Sequence, residues 1–296
     1  MSRTKVKKYK NKKYKIKKTI KNKYGGMFQE KNQKIQKKVF TNGNVYEGEW
    51  LNDAPHGHGI ISNHAGDKYE GEWINGLKHG YGIFTWYDGE KYEGNFLNGL
   101  KHGYGIKTLP DGTTYKGNWV DGVKNGNGIE TLPNGTIYEG EWLNNEPNGR
   151  GIETLPDGTR YEGNFLNDEK NGHGIMIYPD GIKYEGEWLN DEKNGHGILI
   201  HPGGEKYEGN FLNDMPNGHG TVIHANGKKY EGNWVNAKTN GYGIETLPNG
   251  TRYEGNWIND KKHGDGIMIY PDGKKYKGQW INGETNGYGK ITYPQK

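Results

Sequence analysis

Four groups of residues in this 296-residue chain have types and spacings that could do chemistry. His56, His79 and His102 recur at one fixed interval, and His58, His173, His196 and His219 fall in a second phase. Clustered imidazoles would suggest zinc, whose nitrogen ligands lie ~2.0–2.1 Å from the ion. Carboxylates recur in the same way, at Glu47, Glu70, Glu93 and onward, and a facing pair could serve glycoside hydrolysis. A Gly-x-Gly that begins at Gly57 and returns down the chain could cradle a phosphate if it joined a strand to a helix. The fourth group is basic: Lys7, Lys8, Lys10, Lys12, Lys13, Lys15, Lys17 and Lys18, interleaved with Tyr9, Tyr14 and Ile16. No Ser/His/Asp or Cys/His nucleophile arrangement accompanies them, and the chain has no cysteine.

Whether any of these groups can act depends on what holds them. The pattern Tyr-[Glu/Lys]-Gly-x-[Trp/Phe] starts at Tyr46 and returns every 23 residues to Tyr276, eleven times without an insertion. Taking each Tyr as position 0, glycines also stand at +11, +13 and −3 in every copy, so phased positions hold 44 of the 51 glycines. Such a period marks a repeat architecture, in which a unit buries its apolar face only against its neighbours.

The local chemistry of one unit predicts a hairpin. Tyr-Glu-Gly-Glu-Trp alternates large and charged residues at period two, which is strand patterning. A polar stretch such as Asn75-Gly76-Leu77-Lys78-His79-Gly80 makes the turn, then comes a second apolar run such as Gly174-Ile175-Met176-Ile177-Tyr178. Pro179-Asp180-Gly181 ends it, Pro presetting φ and Gly supplying a positive φ. No window carries a helical period. The expected fold is all-β: an elongated antiparallel meander of stacked hairpins, with strand spacing of ~4.8 Å giving a rod on the order of 100 Å. Positions 0, +2 and +4 share one strand face. Glycine at +2 is what leaves room between two large rings, and rings of neighbouring units are expected to stack into ladders. Ile or Thr at +14 and +16 is expected on that same face.

This frame weakens most of the chemistry. Histidines of one phase sit ~9–10 Å apart on successive hairpins, too far to share an ion, which leaves only cross-phase pairs such as His196 with His201. Lys or Arg stands at −1 in eight copies, beside the +1 carboxylates on the outer face, so the acidic stripe is neutralised by its neighbours. A Gly-x-Gly inside a hairpin is no phosphate loop. An active site needs a unique place and the array supplies none, so the chain is expected to be non-enzymatic and to use neither cofactor nor metal.

Composition agrees with a thin structure. Only 30% of residues are hydrophobic while 12% are aromatic. That is too little for a large globular core and enough for one buried layer. There is no run of about 18 apolar residues to span a membrane, and no apolar segment of a secretory signal at the start. The formal charge of +4 is divided. Residues 1–38 hold 16 basic residues and one acid, Glu30, leaving −11 for the rest, and 1–23 hold 12 basic residues and no acid. Residues 1–23 are therefore expected to be a disordered polybasic tail drawn to polyanions. An anionic membrane comes first, at ~1 kcal/mol per nearby basic residue, ahead of nucleic acid bound through phosphates and Tyr stacking or a nuclear-import receptor. Residues 24–45, beginning Tyr24-Gly25-Gly26-Met27-Phe28, read as a degenerate repeat that caps the array 46–296.

The unit YEGEWINGLKHGYGIFTWYDG, 69–89, resembles the MORN repeat, with its pattern Tyr-x-Gly-x-Trp-x-x-Gly…His-Gly-x-Gly…[Asp/Asn]-Gly. The resemblance covers 43–294. Gly at +7 is kept only at Gly76, Gly99, Gly122 and Gly283, and the +10 His becomes Asn in seven copies. It implies a β-hairpin rod used as a scaffold or adaptor. Members are associated with membrane junctions, cilia and cytoskeletal assemblies, or are fused to lipid kinases and a histone methyltransferase, domains not present in 1–296. The function expected is thus a non-enzymatic scaffold binding other proteins. The alternatives are a peripheral membrane-binding or tethering protein working through the tail, or a regulatory partner of a separate enzyme. The expected location is intracellular: cytoplasmic or peripheral at a membrane or the cytoskeleton, with the nucleus open. Exposed sheet edges invite a homodimer.

Overall fold

The computed structural model describes residues 35–294. Within them the chain forms one 23-stranded antiparallel sheet. Strand β1 (Gln36–Val39) pairs with β2 (Val45–Leu51), and β2 with β3 (Ala54–Ser62). Each later strand pairs with its neighbours in sequence through to Glu284–Thr292, so the sheet is a meander with no crossover. Every repeat contributes a seven-residue strand carrying the Tyr and a nine-residue strand carrying the Gly-x-Gly. Of the segment 24–45, only the part from residue 35 is described; the tail 1–23 lies outside the described residues.

The sequence explains this register. Asn75 and Gly76 have φ of 50° and 81°, the positive pair of a two-residue type I′ hairpin turn. Such a turn fixes Ile74 opposite Leu77 and Trp73 opposite Lys78. Beyond Trp73 the register shifts: Gly71 faces Gly82, so Glu72 alone opposes His79, Gly80 and Tyr81. That bulge absorbs the two extra residues of the longer strand. Gly80, at φ 60°, makes it.

The turn settles which residues join the aromatic face, and the two-residue bulge preserves that parity. Tyr69 is paired with Ile61 on one side and Phe84 on the other, both at +15 of their repeats. Ile83, at +14, faces Glu70 on the opposite side of the sheet. The expectation that +14 and +16 share the aromatic face is therefore wrong. An even-length turn pairs even offsets with odd ones, so +9, +13 and +15 lie with Tyr and Trp.

The aromatic rings do not stack in parallel ladders either. Each Trp or Phe at +4 meets the Tyr of its own repeat and the Tyr of the repeat before, edge to face. The zigzag runs unbroken from Trp50 and Tyr46 to Trp280 and Tyr276 at 5.0–5.9 Å between centroids. Edge-to-face geometry sets the positive ring rim against a negative ring face. Each Tyr ring folds down over the paired glycines of its hairpin: a Cβ on Gly140 would lie 2.6 Å from Tyr138 Oη, Gly151 Cα and Arg150 O. The Tyr hydroxyl then donates to the +3 carbonyl, as Tyr138 does to Glu141 at 2.9 Å. Repeats are tied together by the indole N–H, which donates to the preceding repeat's glycine carbonyl, for instance Trp142 to Gly128 at 3.2 Å.

Candidate protein-binding face

Two faces result, and their chemistries differ. On the outer face the −1 and +1 residues pair as the sequence suggests. Lys68 holds Glu70 at 3.0 Å, and Lys91–Glu93, Arg160–Glu162, Lys183–Glu185, Lys206–Glu208, Lys229–Glu231 and Arg252–Glu254 repeat the arrangement at 2.7–3.1 Å. These pairs are half exposed, so each is worth only about 0–1 kcal/mol. The lysine ammonium beside Glu185, Glu208 and Glu231 holds those carboxyls below their usual range. Open grooves floored by paired glycines lie between the rows; one, of about 510 Å³, runs over Gly117 and Gly128 between Tyr104 and Ile129.

The histidines are spread along the sheet, those at +12 on the outer face and His201 and His224 at +17 on the aromatic one. His173 faces Glu187, His196 faces Asn210 and His219 faces Asn233, each across a strand pair. His224 Nδ1 lies 2.6 Å from Glu205 and His102 Nδ1 3.5 Å from Asp121. Among the described residues no three His, Cys, Asp or Glu come together where a metal ion could be held.

The aromatic face carries what the sequence reading missed. Lysine at +9 lies opposite the +4 ring, so its ammonium rests on the rings. Lys124 Nζ sits 4.2 Å from the Trp142 centroid, Lys101 4.4 Å from Trp119 and Lys78 4.1 Å from Phe84. Such contacts contribute about 0.5–1 kcal/mol, more when desolvated. Position +15 varies from repeat to repeat: Ile61, Phe84 and Met176 are apolar, while Lys107, Glu130, Glu153 and Glu245 are charged. Glu153 binds Lys170 at 2.8 Å, and Glu130 pairs with Lys124. Glu245, 6% exposed, takes Lys228 at 2.6 Å and Lys262 at 2.7 Å. Burial works to raise its carboxyl, but these two hydrogen-bonded ammonium groups hold it below the usual range. The Tyr hydroxyls beneath are pushed up by burial first, Tyr253 to about 12 with Asp265 and Glu245 adding to it. The signal for this face was present in the two-residue turn, which places +9 with the rings.

Of the residues singled out in the sequence, Lys7, Lys8, Lys10, Lys12, Lys13, Lys15, Lys17 and Lys18 lie outside the described residues. Among the described residues no helix is long and apolar enough to cross a membrane.

A stack of hairpins bonded through glycine-seated Tyr and Trp defines a β-repeat protein. The MORN repeat family pattern matches in eleven consecutive segments: 46–67, 69–91, 92–114, 115–137, 138–160, 161–183, 184–206, 207–229, 230–252, 253–275 and 276–296. The chain belongs to the MORN repeat family. No curated protein matches it in sequence. Among solved structures it is similar to the TCP domain of Drosophila melanogaster SAS-4 (dCPAP), solved in complex with a proline-rich motif of Ana2 (dSTIL). Identity there is 14% and the TM-score 0.34, over 60% of this chain and 90% of that one. The TCP10 domain of Danio rerio CPAP, solved with a STIL peptide, matches at 14% identity and a TM-score of 0.27, over 89% of this chain and 99% of that one. Neither likeness carries a functional argument.

Proposed function

We propose that this MORN repeat protein is a non-catalytic scaffold that binds other proteins through its aromatic face. The observation that carries this reading is a division within the repeat. Positions 0, +2, +4, +11 and +13 build the array and hardly vary, whereas +9, +15 and +17 change from copy to copy on the face they share. A binding surface needs local differences laid on a rigid support, and this face offers them: Phe84 and Trp86, then Lys107, then Glu130 and Glu153. The outer face repeats the same exposed ion pair seven times and varies chiefly at +12, from His58 to Tyr81, Asn127 and Arg150.

The test is site-specific photo-crosslinking in the native cell, with the crosslinker at Trp86 or Tyr87 and, for comparison, at Glu139. Discrete protein adducts from the first two positions and none from Glu139 support the reading. Adducts from Glu139 alone overturn it.

A second reading is supported by the charge of residues 1–23, with 12 basic residues and no acid: the tail tethers the scaffold to anionic membrane, which would place the protein at a cytoplasmic membrane surface. Full-length chain should then co-sediment with phosphatidylserine vesicles in a salt-sensitive way, and the chain lacking 1–23 should stay in solution. Equal sedimentation of the two chains removes the tail from that role.

A further inference from the structure

Six repeats place lysine at +9 on the aromatic face: Lys78, Lys101, Lys124, Lys170, Lys193 and Lys262. Four are neutralised in place. Lys124 pairs with Glu130, Lys170 with Glu153 at 2.8 Å, Lys193 with Asp214 at 3.2 Å and Lys262 with Glu245 at 2.7 Å. Among the described residues Lys78 and Lys101 have no such carboxylate. The nearby acids are engaged elsewhere: Asp67 accepts from Asn63 Nδ2 at 2.8 Å and from the Tyr87 backbone N–H at 2.9 Å, and Glu90 holds Lys107 at 3.2 Å. Both ammonium groups are half-buried and rest on rings, Lys78 on Tyr69 and Phe84, Lys101 on Tyr92 and Trp119.

The ground between them is aromatic and open. Phe84 and Trp86 are in contact at 4.3 Å between centroids, Tyr87 is 73% exposed, and a cleft of about 220 Å³ lies beside Lys78 and Phe84, bounded by Ile61, Asn63, Trp73 and the carboxylate-bearing Asp67. Both ammonium groups thus lack a contact ion pair among the described residues and feel a carboxylate only at longer range, Lys78 that of Asp67 and Lys101 that of Glu90. Their spacing is also fixed. Lys78 and Lys101 stand one repeat apart, two strands, which is ~9.6 Å. A polyproline II segment rises ~3.1 Å per residue with three residues per turn, so its positions i and i+3 lie on one edge ~9.3 Å apart. A β-strand cannot match this, because its residues i and i+3 point to opposite faces.

We propose that Lys78 and Lys101 receive two acidic side chains, three residues apart, of a partner protein's polyproline II segment lying along the sheet axis, with Phe84, Trp86 and Tyr87 packing its proline rings. The proposal deepens the protein-binding reading above and rests on it. Aromatic-lined surfaces suit this helix because its conformation is already set and little entropy is lost on docking. The state of the lysines agrees: burial pulls each down to about 8, with Lys107 adding to the effect at Lys101, while Asp67 at Lys78 and Glu90 at Lys101 work against it. A carboxylate arriving at either ammonium offsets the burial penalty by direct ion pairing.

The experiment is fluorescence polarisation with full-length chain and labelled synthetic peptides of one composition, Pro-rich with two glutamates. The glutamates are spaced i,i+3 in one peptide, i,i+2 and i,i+4 in its isomers, and replaced by glutamine in a fourth. The i,i+3 peptide should bind at least about tenfold tighter than any other, the effect expected for removing one partner of a half-buried charge pair. Lys78→Gln with Lys101→Gln should abolish that preference, Lys78→Arg with Lys101→Arg should keep it, and Lys193→Gln, at a neutralised lysine, should leave binding unchanged. Retention of preference by the arginine pair shows that any loss in the glutamine pair is one of charge and not of folding. Equal affinity for all spacings, or undiminished preference in the glutamine pair, overturns the proposal while leaving the protein-binding face to stand or fall on its crosslinks. Loss of phosphatidylserine-vesicle binding by the glutamine pair, in a chain that ignores every peptide, assigns the lysines to lipid and overturns it as well.

Discussion

Replacing Trp142 by alanine removes a joint shared by two repeats, so its effect can be worked from the structure. The indole is 3% exposed. It meets Tyr138 at 5.2 Å and Tyr115 at 5.1 Å, both edge to face, donates to Gly128 O at 3.2 Å, and carries Lys124 on its face. Burying roughly 200 Å² of ring at about 25 cal/mol/Å² gives about 5 kcal/mol, at the upper end of the 3–5 kcal/mol range for large-to-small core changes. Trp142→Phe is the informative comparison, because the protein itself uses Phe96, Phe165 and Phe211 at this position. That change keeps an edge-to-face ring and loses chiefly the N–H···O bond, about 1 kcal/mol. In a one-dimensional stack each unit answers to its neighbours, so the damage should be local. Hydrogen exchange read by mass spectrometry should show Trp142→Ala opening the hairpins within 115–154 while 207–292 keep their protection, with Trp142→Phe close to wild type. A Trp142→Ala chain within about 1 kcal/mol of wild type, or one whose protection falls evenly from end to end, would refute the zigzag as the source of stability.

Gly140→Val places side-chain atoms where Tyr138 Oη, Gly151 Cα and Arg150 O already stand, each 2.6 Å from even the first carbon; circular dichroism should show that hairpin lost or the chain insoluble, whereas the outer-face change Glu139→Gln should leave the melting temperature within a degree or two. Ala237 occupies the second turn position with φ of 62°, where four other repeats have glycine; Ala237→Gly should stabilise by about 1 kcal/mol, read as a higher urea midpoint at unchanged slope. Lys78 and Lys101 titrate near 8 when folded and at 10.5 when unfolded. Between those values the unfolded chain binds more protons, so stability should rise with pH from about 8 toward 10. Above 10 the buried Tyr hydroxyls, raised by burial, reverse the trend, because the unfolded Tyr then releases protons first. Denaturation across this range should show the rise in wild type and a flatter profile in Lys78→Met with Lys101→Met.

Much of the fold was legible because the repeat states each rule eleven times. Tyr, Gly and Trp at 0, +2 and +4 identify a strand face without reference to any neighbour. The turn Asn75-Gly76 announces a two-residue hairpin. What escaped was the partner strand's contribution. The Gly80 bulge lies in the middle of the longer strand, and carrying the even offsets of Tyr69, Gly71 and Trp73 on through the turn led to Ile83 and Thr85 at +14 and +16, when Phe84 at +15 is the neighbour of Tyr69. Counting back from the turn would have found it, since Ile74 opposite Leu77 already sets Trp73 against Lys78. The candidate site was hidden for the same reason: with the register unknown, Lys78 and Lys101 looked like turn residues and not like cations lying on rings.

The same logic bears on where function can reside in such an array. A side chain that repeats every 23 residues is presented along the whole sheet and cannot mark one place on it. Specificity must come from what fails to repeat. At +15 a phenylalanine gives way to a lysine and then to glutamates between Phe84 and Glu153, and each lysine at +9 is answered by such a +15 acid, or in the case of Lys193 by Asp214, or is left over. The four answered lysines close their stretch of the face with its own charges, so an incoming anion there would have to displace a carboxylate already in place. At Lys78 and Lys101 no contact carboxylate has to be displaced, Asp67 and Glu90 acting only from a distance. Transplanting the acid, by Phe84→Glu with Lys107→Glu, should therefore make this stretch resemble Lys170 with Glu153, and remove acidic-peptide binding without altering any residue of the glycine-seated core.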